Sequence, residues 1–249
     1  MSLLQRFLQA NRRLSARFDR RDDVAKALYA RYDAYVGRAL GALSDGGIVA
    51  DVGGGRHCSF AELLPTMHAL TIVAVDQSAE ELAANSTVDR TMVADVSRDI
   101  PFANGEVDLL VSRTLLEHVP DVQGAARAMA RVLKPGAQTI HLLPCRYALF
   151  AIVARVVPFG VAKRLLHFAI PESKGVVEFD VVYDRGHPRA LEQAFAAAGF
   201  REVSVECTWD QAAYFHSLFP VLLLVLYQRL AALCRVRVFA SYAIVRAVR

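Results

Sequence analysis

The sequence predicts an α/β protein built on a parallel sheet, and three observations carry that expectation. Short apolar runs recur and each meets an acid: Ile48-Val49-Ala50 runs into Asp51, Leu70-Thr71-Ile72-Val73-Ala74-Val75 into Asp76, and Thr91-Met92-Val93-Ala94 into Asp95. A glycine cluster, Gly53-Gly54-Gly55, follows the first run. Stretches with helical patterning separate many of the runs, the alternation that covers a parallel sheet on both faces. Acids and a glycine turn at the carboxyl ends of such strands mark the edge where open α/β sheets take ligands, here a nucleoside.

Each element follows from its pattern. Residues 1–43 read as helical, with basic residues interleaved among Leu3, Leu4, Phe7, Leu8, Leu14 and Phe18. Strand 48–52, a helix reaching about residue 69, strand 71–75, helix 78–85, strand 91–94, strand 107–111, helix 121–133 and strand 137–143 come next. Pro135-Gly136 stops the helix before that fifth strand. Helix 188–198, closed by Gly199, leads into strand 201–207, and a last strand covers 239–248. Asp108 stands at the start of a strand, away from the carboxyl edge, so its expected role is structural.

The glycine cluster narrows the ligand. A chain turning sharply from strand to helix needs unusual dihedrals, and a ligand approaches the backbone only where no Cβ intrudes. A nicotinamide fingerprint wants a third glycine at position 58, which is Cys58. A pyrophosphate is poorly served by a carboxylate beside the glycines, yet Asp51 stands two residues before Gly53. An acid there suits a ligand that carries positive charge.

Asp51-Val52-Gly53-Gly54-Gly55 resembles motif I of the class I methyltransferases, whose cofactor, S-adenosylmethionine, bears a sulfonium and an ammonium group. Asp76 matches the acid that grips the ribose hydroxyls, and Asp95 the acid that accepts from the adenine amino group. Residues 100–112 look like the approach to the family's fourth strand. Leu116-Glu117-His118-Val119-Pro120-Asp121 and Val132-Leu133-Lys134-Pro135-Gly136 are similar to the ubiquinone-type branch. The likeness covers residues 45–143, with His57 where many members carry a further glycine. It implies a Rossmann-like, seven-stranded, mostly parallel sheet of order 3-2-1-4-5-7-6, with strand 7 antiparallel and helices on both faces. It also implies a cofactor site of Asp51, Gly53, Gly54, Gly55, Asp76, Gln77, Asp95, Val96 and Ser112.

The expected organisation is one domain over residues 1–249, with residues 1–43 as an N-terminal helical cap. Apolar helical insertions at 144–175 and 210–236 would form a substrate lid over the active site, since specificity in α/β enzymes resides in such insertions. Neither provides the roughly 20 uninterrupted apolar residues of a spanning helix. The chain is 54% hydrophobic, with mean hydropathy +0.28, net charge +4 and pI near 9.0. Residues 218–249 hold Arg229, Arg235, Arg237, Arg246 and Arg249 and no acid. Basic residues beside apolar helices suit an anionic membrane surface, while a basic face beside an apolar lid or a homodimer explains them equally. One tryptophan, Trp209, offers little for stacking bases, which argues against nucleic acid. Cys58, Cys145, Cys207 and Cys234 show neither metal-ligand spacing nor a disulfide pattern, so no metal is expected and a reducing, cytoplasmic compartment fits. Charge precedes any useful apolar stretch at the start, so no cleavable leader is expected.

The implied reaction is direct, in-line methyl transfer to an apolar or lipid-linked small molecule, at oxygen or carbon. A hydroxyl acceptor gains from a base with pKa near neutral. His118, Tyr183 and His187 are the candidates, with His141 and Asp184 behind them; each has a capping or packing role as its alternative. A non-catalytic interaction protein of the same fold at a membrane surface, and a nicotinamide-dependent oxidoreductase, are the rival readings.

Overall fold

The computed structural model describes residues 6–7, 9–11, 13, 21–66, 69–148, 151–152, 181–209, 221–234 and 236–249. Most of the two expected insertions, and much of the cap before residue 21, lie outside the described residues. Seven strands form one sheet: β1 (Ile48–Val52), β2 (Thr71–Asp76), β3 (Arg90–Val93), β4 (Val107–Arg113), β5 (Leu133–Pro144), β6 (Arg201–Thr208) and β7 (Tyr242–Val248). Their order is β3-β2-β1-β4-β5-β7-β6, and β7 runs antiparallel to both β5 and β6. This is the Rossmann-like topology that the sequence implied.

The period of two along each strand sorts side chains between two cores. Val49, Ile72, Leu109, Val111, Ile140 and Leu142 face one side, where helix α1 (Arg21–Gly41) lays Leu28, Tyr32, Val36 and Leu40 against them. Ala50, Val52, Val73, Val75 and Leu110 face the other. There α3 (Val122–Val132) and α4 (Pro188–Ala197) contribute Val122, Met129, Leu191 and Phe195. Each such Val, Leu, Ile or Phe contributes about 1.5–3 kcal/mol on full burial. Ser78 caps the short helix α2 (Ala79–Ala83) by accepting from the Glu81 amide, and Asp121 caps α3 by accepting from that of Gly124.

Three boundaries depart from expectation. The segment after β1 is a turn followed by a 3-10 turn at Ala61–Thr66, not a long helix. The Ser59 amide is diverted to Asp51, the Cys58 amide to Thr87, and Pro65 has no amide to give. β5 begins at Leu133, where the chain is already extended, and its register slips between Val107 and Leu109. β7 begins at Tyr242, after a 3-10 turn at Arg237–Phe239. Asp108 is structural: it accepts from the Ile48 amide at 2.9 Å and holds Lys134 Nζ at 2.7 Å, tying β1, β4 and β5 together.

A fully buried polar chain joins β4 to β5. Thr139 Oγ1 donates to the Leu110 carbonyl (3.0 Å), so toward His141 Nε2 (2.7 Å) it must accept. His141 Nδ1 then accepts from Ser112 Oγ at 2.7 Å. Burial depresses the pKa of His141 from 6.5 to about 3, so the ring stays neutral. His141 is therefore no catalytic base: it is sealed in the core, with both nitrogens in use. In the unfolded chain it takes up a proton near 6.5, so its contribution to stability falls as pH drops below that value. The His141→Leu protein is expected to lose about 1–3 kcal/mol at neutral pH, because the buried Ser112 hydroxyl loses its partner while Thr139 keeps only the Leu110 carbonyl. Thermal unfolding followed from neutral to acid pH should show that gap narrowing.

Candidate active site

The carboxyl edge between β1 and β4 is built by the glycine loop. The Gly53 and Gly54 amides donate to the Val75 carbonyl (2.7 and 3.3 Å), and Asn85 Nδ2 donates to the Gly55 carbonyl at 2.9 Å. Gly53 lies at φ +75°, and a Cβ there would come within 3.0–3.3 Å of Leu115. A Cβ on Gly54 would sit 3.0 Å from Ala74 Cβ and from the Asp51 carbonyl. Gly55, at φ +44°, leaves its Cβ position open except for Asp76 Oδ2 at 4.0 Å.

Three acids surround this loop, each differently engaged. Asp76 accepts from the Gly55 amide (3.2 Å) and the Ser78 amide (2.9 Å), with one lone pair on each oxygen still to offer. Asp51 is buried and accepts from the Ser59 amide at 2.9 Å and more weakly from its hydroxyl at 3.3 Å. Burial raises its pKa from 3.8 to about 6, with Ser59 opposing. The Tyr32 hydroxyl is fully buried, which raises its pKa; it also feels the Asp51 charge, with Ser59 opposing. Asp95 turns onto Ser97, accepting from its hydroxyl (2.6 Å) and amide (3.0 Å), contacts that lower its pKa. Gln77 is exposed just beyond Asp76, and Val96 packs with Ile100 and Phe102 in the core. The Ser112 side chain is committed to His141, so it does not reach the edge, and only its backbone remains for a ligand.

The opposite rim is formed where β4 ends. Thr114 has φ +56°, a conformation costly for a non-glycine residue, and the chain then turns through Leu115 to Pro120. The loop at 181–187 is clamped onto this turn: the Val182 and Tyr183 amides donate to the Glu117 carbonyl at 2.9 and 2.8 Å. Asp184 Oδ2 accepts from the Val122 amide at 3.0 Å, and Arg146 donates to the Tyr183 carbonyl at 3.1 Å. The structure thus brings His118 and Tyr183 to one rim. Tyr183 is buried at φ +55°, and His118 is partly exposed. His187 sits at the end of the loop as the N-cap of α4, its Nδ1 accepting from the Ala190 amide at 3.3 Å. That bond places the proton of the neutral ring on Nε2, leaving no free lone pair for a substrate proton. Burial, then Arg146 and Arg189, lowers its pKa.

Sequence reasoning passed over Glu117, which is 3% exposed, with Oε2 lacking any hydrogen-bond partner. Burial raises its pKa from 4.5 to about 8, its own backbone amide opposing. The sequence shows only that an acid follows two leucines; its isolation is a property of the packing. Among the described residues no group of His, Cys, Asp and Glu is arranged to hold a metal ion.

Residues 50–141 match the family described as Methyltransferase domain. The chain is 34% identical over 93 residues to an uncharacterized methyltransferase of Mycobacterium sp. strain KMS, a match covering 36% of each protein. It is also 34% identical over 92 residues to a ubiquinone biosynthesis O-methyltransferase of Xanthomonas oryzae pv. oryzae, covering 34% of this chain and 31% of that one. These matches span about a third of the relatives' length. Among solved structures, phosphoethanolamine N-methyltransferase 2 of Haemonchus contortus with S-adenosyl-L-methionine superposes at TM-score 0.56 and 16% identity, over 88% of this chain and 52% of that one. Geranyl diphosphate C-methyltransferase of Streptomyces coelicolor A3(2) does so at TM-score 0.54 and 17% identity, over 88% and 76%. At such identities the likeness is one of fold.

Sheet order, glycine loop and the domain match over residues 50–141 agree with the class I methyltransferase fold. The cofactor bound in such a neighbour is S-adenosyl-L-methionine, and the residues present here fit it. Asp51 has no Lys or Arg within ion-pair distance among the described residues, so its charge is left for a cationic ligand. Asp76 keeps free lone pairs beside a backbone stripped of side chains, as ribose hydroxyls require. Gly53→Ala is expected to cost about 1–2 kcal/mol from the left-handed backbone alone. It should also displace Leu115, so a lower melting temperature and weaker S-adenosylhomocysteine binding by calorimetry are both expected.

Proposed function

We propose that the protein transfers a methyl group from S-adenosylmethionine to an amphipathic or lipid-linked small molecule, at oxygen or carbon, by direct in-line displacement. The observation that carries the reading is the pairing, across one glycine loop, of a buried Asp51 without an ion pair among the described residues and a half-exposed Asp76. One suits the charged amino-acid end of the cofactor and the other its ribose. The cofactor supplies a methyl already activated on a sulfonium, so the chain chiefly holds the acceptor in line. Such positioning is worth about 7–11 kcal/mol in favourable cases. The turn at 114–120 and the clamped loop at 181–187 offer a rigid rim for this purpose, with His118 and Tyr183 as candidate acceptor contacts.

Two comparisons support the acceptor class. One relative is described as acting in ubiquinone biosynthesis, and one structural neighbour carries geranyl diphosphate. S-Adenosylhomocysteine is expected to bind at one site in calorimetric titration, and Asp76→Ala should abolish that binding. A nicotinamide dinucleotide should not bind; tight binding of one would overturn the reading.

The acceptor would be met at an anionic membrane surface. Helix α5 (Val221–Leu233) exposes Leu226, Leu230 and Leu233, one helical stripe, with Leu233 at 80% exposure. Arg229 lies on the same helix, whereas Arg237 is occupied by Glu192 and Arg246 lies over Tyr35. No helix among the described residues is long and apolar enough to cross a membrane. Flotation with phosphatidylglycerol vesicles should recover the protein at low salt and less of it at high salt. Leu230→Glu should lower the recovery at both, and absence of flotation at any ionic strength would exclude the membrane surface.

A further inference from the structure

A buried carboxyl without a partner is costly, so its persistence calls for an ion pair, a hydrogen-bond network or a role toward something outside the chain. Among the described residues the first two fail for Glu117, whose carboxyl group has only its own backbone amide as a hydrogen-bond donor. Among them the one basic group within 4 Å is its neighbour His118, whose Nε2 lies 3.8 Å from Oε1, beyond hydrogen-bond reach. From β5 the adjacent thiol is Cys145, which burial and the Glu117 charge keep protonated. From the loop at 181–187, Val182 and Tyr183 present backbone amides to the Glu117 carbonyl, not to its carboxyl group.

The same contacts fix the backbone of Glu117. Two amide bonds lock the Glu117 backbone, and two residues earlier Leu115 touches the position where a Gly53 side chain would be. Glu117 therefore belongs to the turn at the exit of β4, two residues past the leucine that touches the glycine loop.

We propose that Glu117 is the proton acceptor of the reaction and that the acceptor molecule offers it a hydroxyl group. This assignment rests on the methyl-transfer reading above. In the step, the acceptor oxygen forms a bond to the methyl carbon as the sulfur–methyl bond breaks. The bonding pair stays on sulfur as a neutral thioether, the hydroxyl proton passes to the Glu117 carboxylate, and water later removes it. A hydroxyl group can hydrogen-bond to either form of the acid, donating to the carboxylate and accepting from the carboxylic acid. An ammonium can only donate, and near neutral pH the carboxyl is mostly uncharged, so it offers an amine no ion pair. A base of this strength fits an acceptor activated near neutral pH.

The test uses the whole chain with labelled S-adenosylmethionine and two probes of equal tail, 4-nonylphenol and nonylamine. The wild type is expected to methylate 4-nonylphenol at oxygen, with kcat rising with pH and levelling near 8. Glu117→Gln should lower kcat on the order of 100-fold, with KM changed by less than about twofold. Because a misfolded variant would mimic this, S-adenosylhomocysteine binding and the melting temperature must match the wild type. A carboxylic-acid infrared band titrating near pH 8 should vanish in the variant. Transfer to nonylamine alone, transfer to neither probe, wild-type kcat in Glu117→Gln, or no such band in the wild type overturns the proposal. If the wild type fails to bind S-adenosylhomocysteine, the methyl-transfer reading falls too; binding that survives while the Glu117 effects are absent removes this assignment alone.

Discussion

The lack of a side chain at Gly53 lets the two halves of the site meet. Parallel pairing of β1 with β4, with Asp51 beside Val111, brings the glycine loop against the exit of β4. There Leu115 occupies the space a Cβ would need. Through that contact the cofactor side, held by Val75, Asp76 and Asn85, is coupled to the turn that carries Glu117 and His118. The clamped loop at 181–187 extends the coupling to α4. A displacement of Leu115 is therefore felt on both sides of the candidate site.

The site also concentrates unfavourable electrostatics. Asp51 and Glu117 are both buried acids whose pKa values rise above their ordinary ones, to about 6 and about 8. Each binds more protons folded than unfolded, so each makes the fold less stable as pH rises, between 3.8 and about 6 for Asp51 and between 4.5 and about 8 for Glu117. His141 acts in the opposite direction below 6.5. Hydrophobic burial on both faces of the sheet offsets these costs, which are concentrated near the carboxyl edge of the sheet. Such local violations of good packing are what a binding site looks like in an otherwise consistent fold.

Much of the architecture is readable from local pattern. Apolar runs of strand length and the acids that follow them depend on neighbours a few residues away, and the structure has them where the pattern placed them. Misjudged boundaries have non-local causes. The long helix expected after β1 is lost because Asp51 and Thr87 take the amides of Ser59 and Cys58, the latter across 29 residues. Three of the polar residues singled out in the sequence prove to be engaged elsewhere. His141 and Ser112 bond to each other in the core, and His187 caps α4.

By itself, then, the sequence determined the class of sheet, the order of its elements and the acids at its carboxyl edge. Those follow from side-chain periodicity and glycine conformation, which are local properties of the chain. Tertiary structure alone decided which polar side chains remain available. Ser112 and His141 are 29 residues apart yet hydrogen-bonded, and Glu117 Oε2 finds no hydrogen-bond partner among the described residues. Burial and partnership are set by what folds against a residue, and no window of sequence contains that information.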